Sequence, residues 1–218
     1  MKIFLFLSMM SITTMSCAQT DSKKPISANT KHVGGRCEGC EAIFESSISF
    51  KKLSSVDTLP DFNDKGPKLE ISGIVYHADG KTPAKDVVIY VYHTDQKGIY
   101  PKKGNETGWA KRHGYIRGWA KTDKNGYYKF YTLKPAPYPG GNIPAHIHVT
   151  VKEPNKNEYW IDEYLFDDDP LLTKEERQKQ EKRGGNGIIK LVARNGSLYA
   201  TRNITLGENI PDYPKQNL

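Results

Sequence analysis

Long apolar runs are scarce in this chain of 218 residues; the one stretch of note is Ile3 to Met10. That scarcity excludes a protein crossing a membrane many times, because each spanning helix needs about 20 apolar residues. No unit of about 20–50 residues recurs, which excludes solenoids and propellers. Cysteine is rare, with Cys17, Cys37 and Cys40 alone. Cys37 and Cys40 form a C-x-x-C pair, but no second Cys/His pair follows closely enough to complete a zinc site. A polar stretch precedes the pair, where a thioredoxin-like redox unit needs a strand. Charge of one sign does not dominate: 32 Lys+Arg against 25 Asp+Glu leave +7. The densest charged run, Lys174 to Arg183, interleaves its cations with Glu175, Glu176 and Glu181. It reads as a solvated face, so no nucleic-acid partner is expected. Aromatic residues are not lacking, and with 13 Tyr the chain is too aromatic for general disorder.

Residues 1–16 read as an export signal: Lys2 supplies the positive start, Ile3 to Met10 the short apolar run, and Ser16 a small residue before Cys17. Thr14-Met-Ser-Cys17 resembles a bacterial lipoprotein cleavage box, so the expectation is lipidation of Cys17 and anchoring at the cell envelope. An ordinary secretory signal cut nearby is the alternative. Residues 17–68 are expected to hold a polar tether and an N-terminal segment with the C-x-x-C pair. Outside the cytosol, Cys37 and Cys40 are a candidate disulfide or two idle thiols. Residues 69–213 carry the folded body.

In that body strand signals recur. Leu69 to Tyr76 and Tyr127 to Leu133 alternate apolar and polar residues. Val87 to His93 is a β-branched and aromatic run. His146 to Val151, Tyr159 to Phe166, Gly187 to Val192 and Ser197 to Thr205 are further candidates. Asp79-Gly80 and Asp123-Lys-Asn-Gly126 mark turns, and Pro135 to Asn142 cannot continue a ladder. The expected fold is all-β, an antiparallel β-sandwich with long loops and one short helix over Thr173 to Arg183, capped by Thr173.

His146 and His148 sit two apart in a candidate strand, so both imidazoles project from one face as half of a metal site. Upstream lies Lys134-Pro-Ala-Pro-Tyr138-Pro139, a rigid loop that fixes where Tyr138 points. Earlier come Thr122-Asp-Lys-Asn-Gly-Tyr-Tyr-Lys-Phe130 and Gly98-Ile-Tyr100. This order of G-x-Y, TDxxGxYxF, KPxPYP and PAHIH resembles the intradiol ring-cleavage dioxygenases of the protocatechuate 3,4-dioxygenase type, over about Leu69 to Thr205. The resemblance implies a mononuclear Fe(III) held by Tyr100, Tyr138, His146 and His148. Hard ferric iron favours anionic oxygen, and a bound cation favours the deprotonated phenol. It also implies a catechol-type substrate and O₂ as partners, cleavage between the two hydroxylated carbons, and Tyr138 as the released ligand that takes a catechol proton. Relatives often assemble, so a homo-oligomer is a further expectation.

Two positions depart from the family's pattern. Ile143 stands where an Arg usually precedes P-A-H-I-H, which removes a positive donor beside the reacting carbon. Glu163 stands where a Gln is usual and would repel a dianionic substrate unless protonated or paired; Ile143 and Glu163 are therefore candidate pocket residues. Arg117, or Lys97, Lys102 or Lys103 near Tyr100, is the expected substitute for the lost charge. Tyr90, Tyr92, Tyr127, Tyr128 and Tyr131 read as packing residues. The alternative function is a non-catalytic surface β-sandwich that retains the fold as a binding module.

Overall fold

The computed structural model describes residues 32–215. Cys17 and the export-signal residues lie outside them. Two sheets face each other. The first runs β1 (Val56–Thr58), β5 (Tyr127–Leu133), β2 (Lys68–Tyr76), β10 (Ser197–Thr201) and β9 (Val192–Arg194), with β11 (Ile204–Thr205) also paired to β2. The second runs β4 (Arg117–Lys121), β3 (Val88–His93), β6 (His146–Lys152), β7 (Glu158–Phe166) and β8 (Ile188–Ile189). The central pairs β2–β5, β3–β4, β3–β6 and β6–β7 are antiparallel, as expected of the sandwich. The flanking strands β1, β8, β10 and β11 join in parallel instead.

The alternation in β2 is complete: every second residue is buried, and Leu69, Ile71 and Val75 meet Ile89, Val91, Ile147, Val149 and Val151 of the other sheet. Those apolar residues on alternate positions build the layer between the sheets. The second sheet is covered on its outer face as well. Residues of the N-terminal segment fold over it as two short 3-10 turns, Cys40–Glu45 and Phe50–Lys52, and bury Ala42, Ile43 and Leu53 against Val88 and Tyr90. Trp119 donates from its indole to the Ile43 carbonyl at 2.8 Å. Full burial of a side chain like Ile43 stabilises by about 1.5–3 kcal/mol, so residues 40–58 belong to the folded body. The C-x-x-C pair is a disulfide at the head of this segment.

Three expected elements are shorter than the pattern suggests. The helix covers only Lys174–Gln178, with the Thr173 hydroxyl accepting from the Glu176 amide at 3.2 Å; it buries no residue, so nothing extends it. Gly187 to Val192 yields two residues of β8 before the chain crosses to β9. Ser197 to Thr205 is interrupted where Arg202 turns inward and donates to the Asp162 carbonyl at 2.6 Å. Arg117–Lys121, not among the candidate strands, is strand β4, and a short helix α1 spans Ala110–His113.

Candidate metal centre

His146 and His148 stand on the same face of β6 while Ile147 and Val149 point into the core. The two ring nitrogens of each imidazole have separate roles. His146 Nδ1 lies 2.7 Å from the Pro144 carbonyl and His148 Nδ1 lies 2.6 Å from a Glu163 carboxylate oxygen. Both partners are acceptors, which assigns the protons to Nδ1 and leaves both Nε2 lone pairs free to face inward. Burial, with the neighbouring His148 charge, pushes His146 below the usual histidine range, against an opposing pull from Glu163; it is a neutral ligand-competent ring.

The two phenols arrive on loops that brace each other. In the loop after β3, Asp95 accepts from the amides of Lys97 and Ile99 at 2.8 and 3.2 Å and presents Tyr100. In the Pro-rich loop, the Ala136 carbonyl accepts from the Thr94 hydroxyl at 2.7 Å, and the Ala136 amide donates to the Asp95 carbonyl at 3.2 Å. The loops touch at Gly98, whose φ is 74°; a Cβ there would lie 2.0 Å from the Pro137 carbonyl oxygen. Glycine is required at that point both for its backbone angle and for the close approach.

Four donor atoms consequently converge. The Tyr100 hydroxyl is 2.5 Å from the Tyr138 hydroxyl and 2.7 Å from His148 Nε2, and the Tyr138 hydroxyl is 3.3 Å from His146 Nε2. Burial raises the pKa of both phenols, and the shared hydrogen bond raises that of Tyr100 further. The cluster is two phenols and two imidazoles. This donor set suits a hard, multiply charged cation, because such a charge converts phenols to phenolates and leaves imidazoles neutral. Three metal-ligating types, His146, His148 and Glu163, lie within 4.8 Å of one another by their donor atoms.

Glu163 therefore meets the cluster through His148. Its carboxyl is raised by burial, but the hydrogen bond from His148 and the charges of His148 and His146 outweigh that and hold it at about 2. Its position depends on an irregularity in the β6–β7 pairing: Ile147 opposes Tyr164, yet Val149 opposes Ile161. One extra residue in β7 brings Glu163 to the His148 face while Ile161 and Tyr164 both stay in the core. A slip in the apolar spacing, from Tyr159 and Ile161 to Tyr164 and Phe166, is the trace of this bulge in the sequence.

Of the other expected residues, Ile143 is 49 % exposed, lines neither cavity beside the cluster, and has no charge to offer. Arg117 is not brought to the cluster. Its guanidinium bonds Glu45 at 2.6 Å and stacks over Trp119, so its charge is already used to hold the N-terminal segment on β4. The cation that borders the cavity is Arg112 of α1. This cavity, of about 270 Å³, is walled by Tyr100, Tyr138, His148, Tyr92, Trp109 and His113. Arg112 bonds Glu38 at 2.6 Å across its mouth. Tyr92, read as a packing residue, stacks on His148 with ring centroids 4.4 Å apart and on His113 at 3.7 Å. Arg112, Trp109 and His113 carried no signal in sequence, because they come from a short helix that no motif marks, and the C-x-x-C motif that contains Glu38 does not say which cavity its loop borders.

Comparison with known proteins agrees with this geometry. A family model described as Dioxygenase matches residues 49–193. Catechol 1,2-dioxygenase 1 of Acinetobacter lwoffii is 32% identical over 160 residues, covering 62% of this chain and 50% of that protein. The protocatechuate 3,4-dioxygenase beta chain of Burkholderia cepacia is 28% identical over 113 residues, covering 49% of this chain and 48% of that protein. The chain thus spans about half the length of these relatives. Among solved structures, an Acinetobacter catechol 1,2-dioxygenase superposes with a TM-score of 0.54 at 21% identity, over 71% of this chain and 57% of that one. The dioxygenase domain of a dioxygenase carbohydrate-binding fusion from Streptomyces sp. SirexAA-E gives 0.51 at 21% identity, over 66% and 82%. Those two likenesses are of fold.

Proposed function

This chain belongs to the intradiol dioxygenase family, and from that premise we propose that it binds ferric iron through Tyr100, Tyr138, His146 and His148 and cleaves a catechol-type ring between its two hydroxylated carbons. Both atoms of O₂ enter the product, a muconate-type dicarboxylate. The observation that carries the reading is the convergence of two phenolic oxygens and two Nε2 atoms, with both Nδ1 atoms bonded elsewhere.

Ferric iron, when bound by these groups, supplies Lewis acidity and a template for the ring and O₂. The chain's own residues do the rest. Pro144 and Glu163 fix the imidazole tautomers, so that neither histidine needs to reorganise. Tyr138, the more exposed phenol at the cavity mouth, takes a catechol hydroxyl proton at its phenolic oxygen. Tyr92, Trp109 and His113 form an aromatic wall that aligns the ring and excludes water. Arg112 borders the cavity, held by Glu38, and supplies positive charge at its edge. We place the chain at the cell envelope, held there through a lipid on Cys17, and leave assembly into a homo-oligomer as part of the same proposal.

The test is a visible spectrum of the iron-loaded protein before and after anaerobic catechol, followed by oxygen uptake. A tyrosinate-to-iron band that shifts with catechol is expected. Tyr138→Phe and His146→Ala are expected to abolish ring cleavage. Undiminished oxygen uptake by these variants refutes the proposed ligand set. Absence of the band with iron supplied favours the binding-module alternative, for which the charge lost at Ile143 is the structural argument.

A further inference from the structure

A second cavity, of about 420 Å³, adjoins the one at the metal centre. The two share Glu38, Tyr92 and His148, so they form one groove that passes His148. A catechol ring engaged by the four-donor cluster would leave this second part open. We propose that it is a subsite for a substituent on the substrate ring, and that it takes a neutral aryl group joined to the catechol by a short linker. The proposal rests on the reading of the metal centre given above and names the substrate class of that site.

The floor of the subsite is Trp160. It pairs with Thr150 across β6 and β7, on the outer face that also carries His148. His148 and Thr150 are two residues apart, a step of about 7 Å along a strand. A linker of one to a few atoms therefore spans from a ring at the cluster to a ring at Trp160. The indole is held in place: the Arg183 guanidinium stacks at 3.4 Å from its centroid and is buried. Arg183 in turn donates to the carbonyls of Gly34 and Trp160 at 2.9 and 3.0 Å. The indole nitrogen lies 3.4 Å from the Arg36 carbonyl. An indole fixed in this way is a stacking platform that loses little freedom when a second ring settles on it.

The opposite wall is the disulfide loop, which contributes Arg36, Cys37, Glu38 and Gly39. The C-x-x-C pair thereby acquires a structural role, since the bridge keeps the loop compact beside the groove. Gly39 has φ 86°, and a Cβ there would lie 3.0 Å from His113 Nε2, so the loop sits as close to the aromatic wall as backbone allows. Charge at the subsite is mixed. Glu38, Asp162, Glu163 and Glu181 border the subsite against the cations Arg36 and Lys179. Three of these carboxylates are already engaged, Glu38 by Arg112, Glu163 by His148 and Asp162 by the amides of Lys182 and Arg183, so the charges are largely matched and a neutral aromatic group, which disturbs none of these pairs, is favoured.

The test is anaerobic calorimetry on the iron-loaded full chain with three ligands, namely catechol, 4-benzylcatechol and 3,4-dihydroxybenzoate. Wild-type protein is expected to bind 4-benzylcatechol about 3- to 10-fold more tightly than catechol, the effect of one aromatic contact. It should bind 3,4-dihydroxybenzoate no more tightly than catechol. Trp160→Ala is expected to remove the gain for 4-benzylcatechol and to leave catechol binding within about twofold. That unchanged catechol affinity also reports an intact fold, and Trp160→Leu serves if the alanine variant does not fold. A wild-type preference for 3,4-dihydroxybenzoate, or a benzyl gain that survives both Trp160 substitutions, overturns the subsite while leaving the metal centre standing. Failure of plain catechol to bind overturns both.

Discussion

Glu163 offers the sharpest test of the site's construction. Glu163→Ala removes the carboxylate that accepts the His148 Nδ1 proton at 2.6 Å, and with it the group that fixes the ring's tautomer. Loss of an outer partner of this kind typically costs 10–100-fold in metal affinity, about 1.4–2.7 kcal/mol. The Glu163 side chain is 37% exposed, so water can partly take over the role of acceptor, which sets the expectation near the lower end, about tenfold. Glu163→Gln keeps an acceptor oxygen and loses the charge. Charge-assisted hydrogen bonds are about twice as strong as neutral ones, so about half of the free energy goes and affinity falls about threefold. The assay is competition for ferric iron against a chelator of known affinity, read at the tyrosinate band, with circular dichroism to check the fold. If Glu163 acted mainly by repelling substrate, Glu163→Gln would tighten catechol and leave iron affinity alone. Iron affinity of Glu163→Ala within twofold of wild type refutes the positioning role.

Three further outcomes follow from groups other than the four donors. Thr132 bridges His93 at 2.7 Å and Asp61 at 2.9 Å, and all three are almost fully buried. Thr132→Val keeps the shape and strands both partners, at a cost of about 3 kcal/mol, so a thermal melt should fall by about 6–12 °C; a fall under about 2 °C contradicts the network. His113 is held at about 4 by burial, then by the charges of His148 and Arg117, and its Nδ1 lies 2.9 Å from the Tyr90 hydroxyl. The unfolded chain therefore takes up a proton near pH 6.5 that the folded one does not. Stability is full above that pH and falls as the pH drops toward 4, by on the order of 1–2 kcal/mol at pH 5. Urea melts at pH 7 and 5 should show this loss, and His113→Gln should diminish it; an identical loss in the variant assigns the effect elsewhere. Reduction of Cys37–Cys40 opens a very short loop, worth about 2 kcal/mol or less in chain entropy, so the melting temperature should drop by a few degrees with reductant present.

The strands and the donor residues were legible in the sequence because they rest on local rules. Side chains two apart in a strand share a face, which places His146 with His148 whatever surrounds them. Alternation in β2 and the β-branched run of β3 declare their buried faces, and the Pro-rich loop around Tyr138 has few conformations open to it. The ends of the sandwich were less legible. Residues 40–58 carry no strand or helix pattern of their own, and the few apolar ones, Ala42, Ile43 and Leu53, find their place only against Tyr90 and Trp119. Arg117 shows the same limit: it was the natural substitute for the charge missing at Ile143, but Glu45, 72 residues earlier in the chain, claims it.

What the sequence determined alone is the type of each donor and the family to which their order points. What tertiary structure decided is everything that required two distant segments to meet. A single extra residue in β7 made Glu163, expected only as a pocket residue, the hydrogen-bond partner of His148 as well. A disulfide loop and a four-residue helix, neither marked by periodicity, closed the cavity with Glu38, Arg112, Trp109 and His113. Local chemistry is written residue by residue, whereas register, bulges and the pairing of charges are set by packing across the whole chain, and no spacing along the sequence records them.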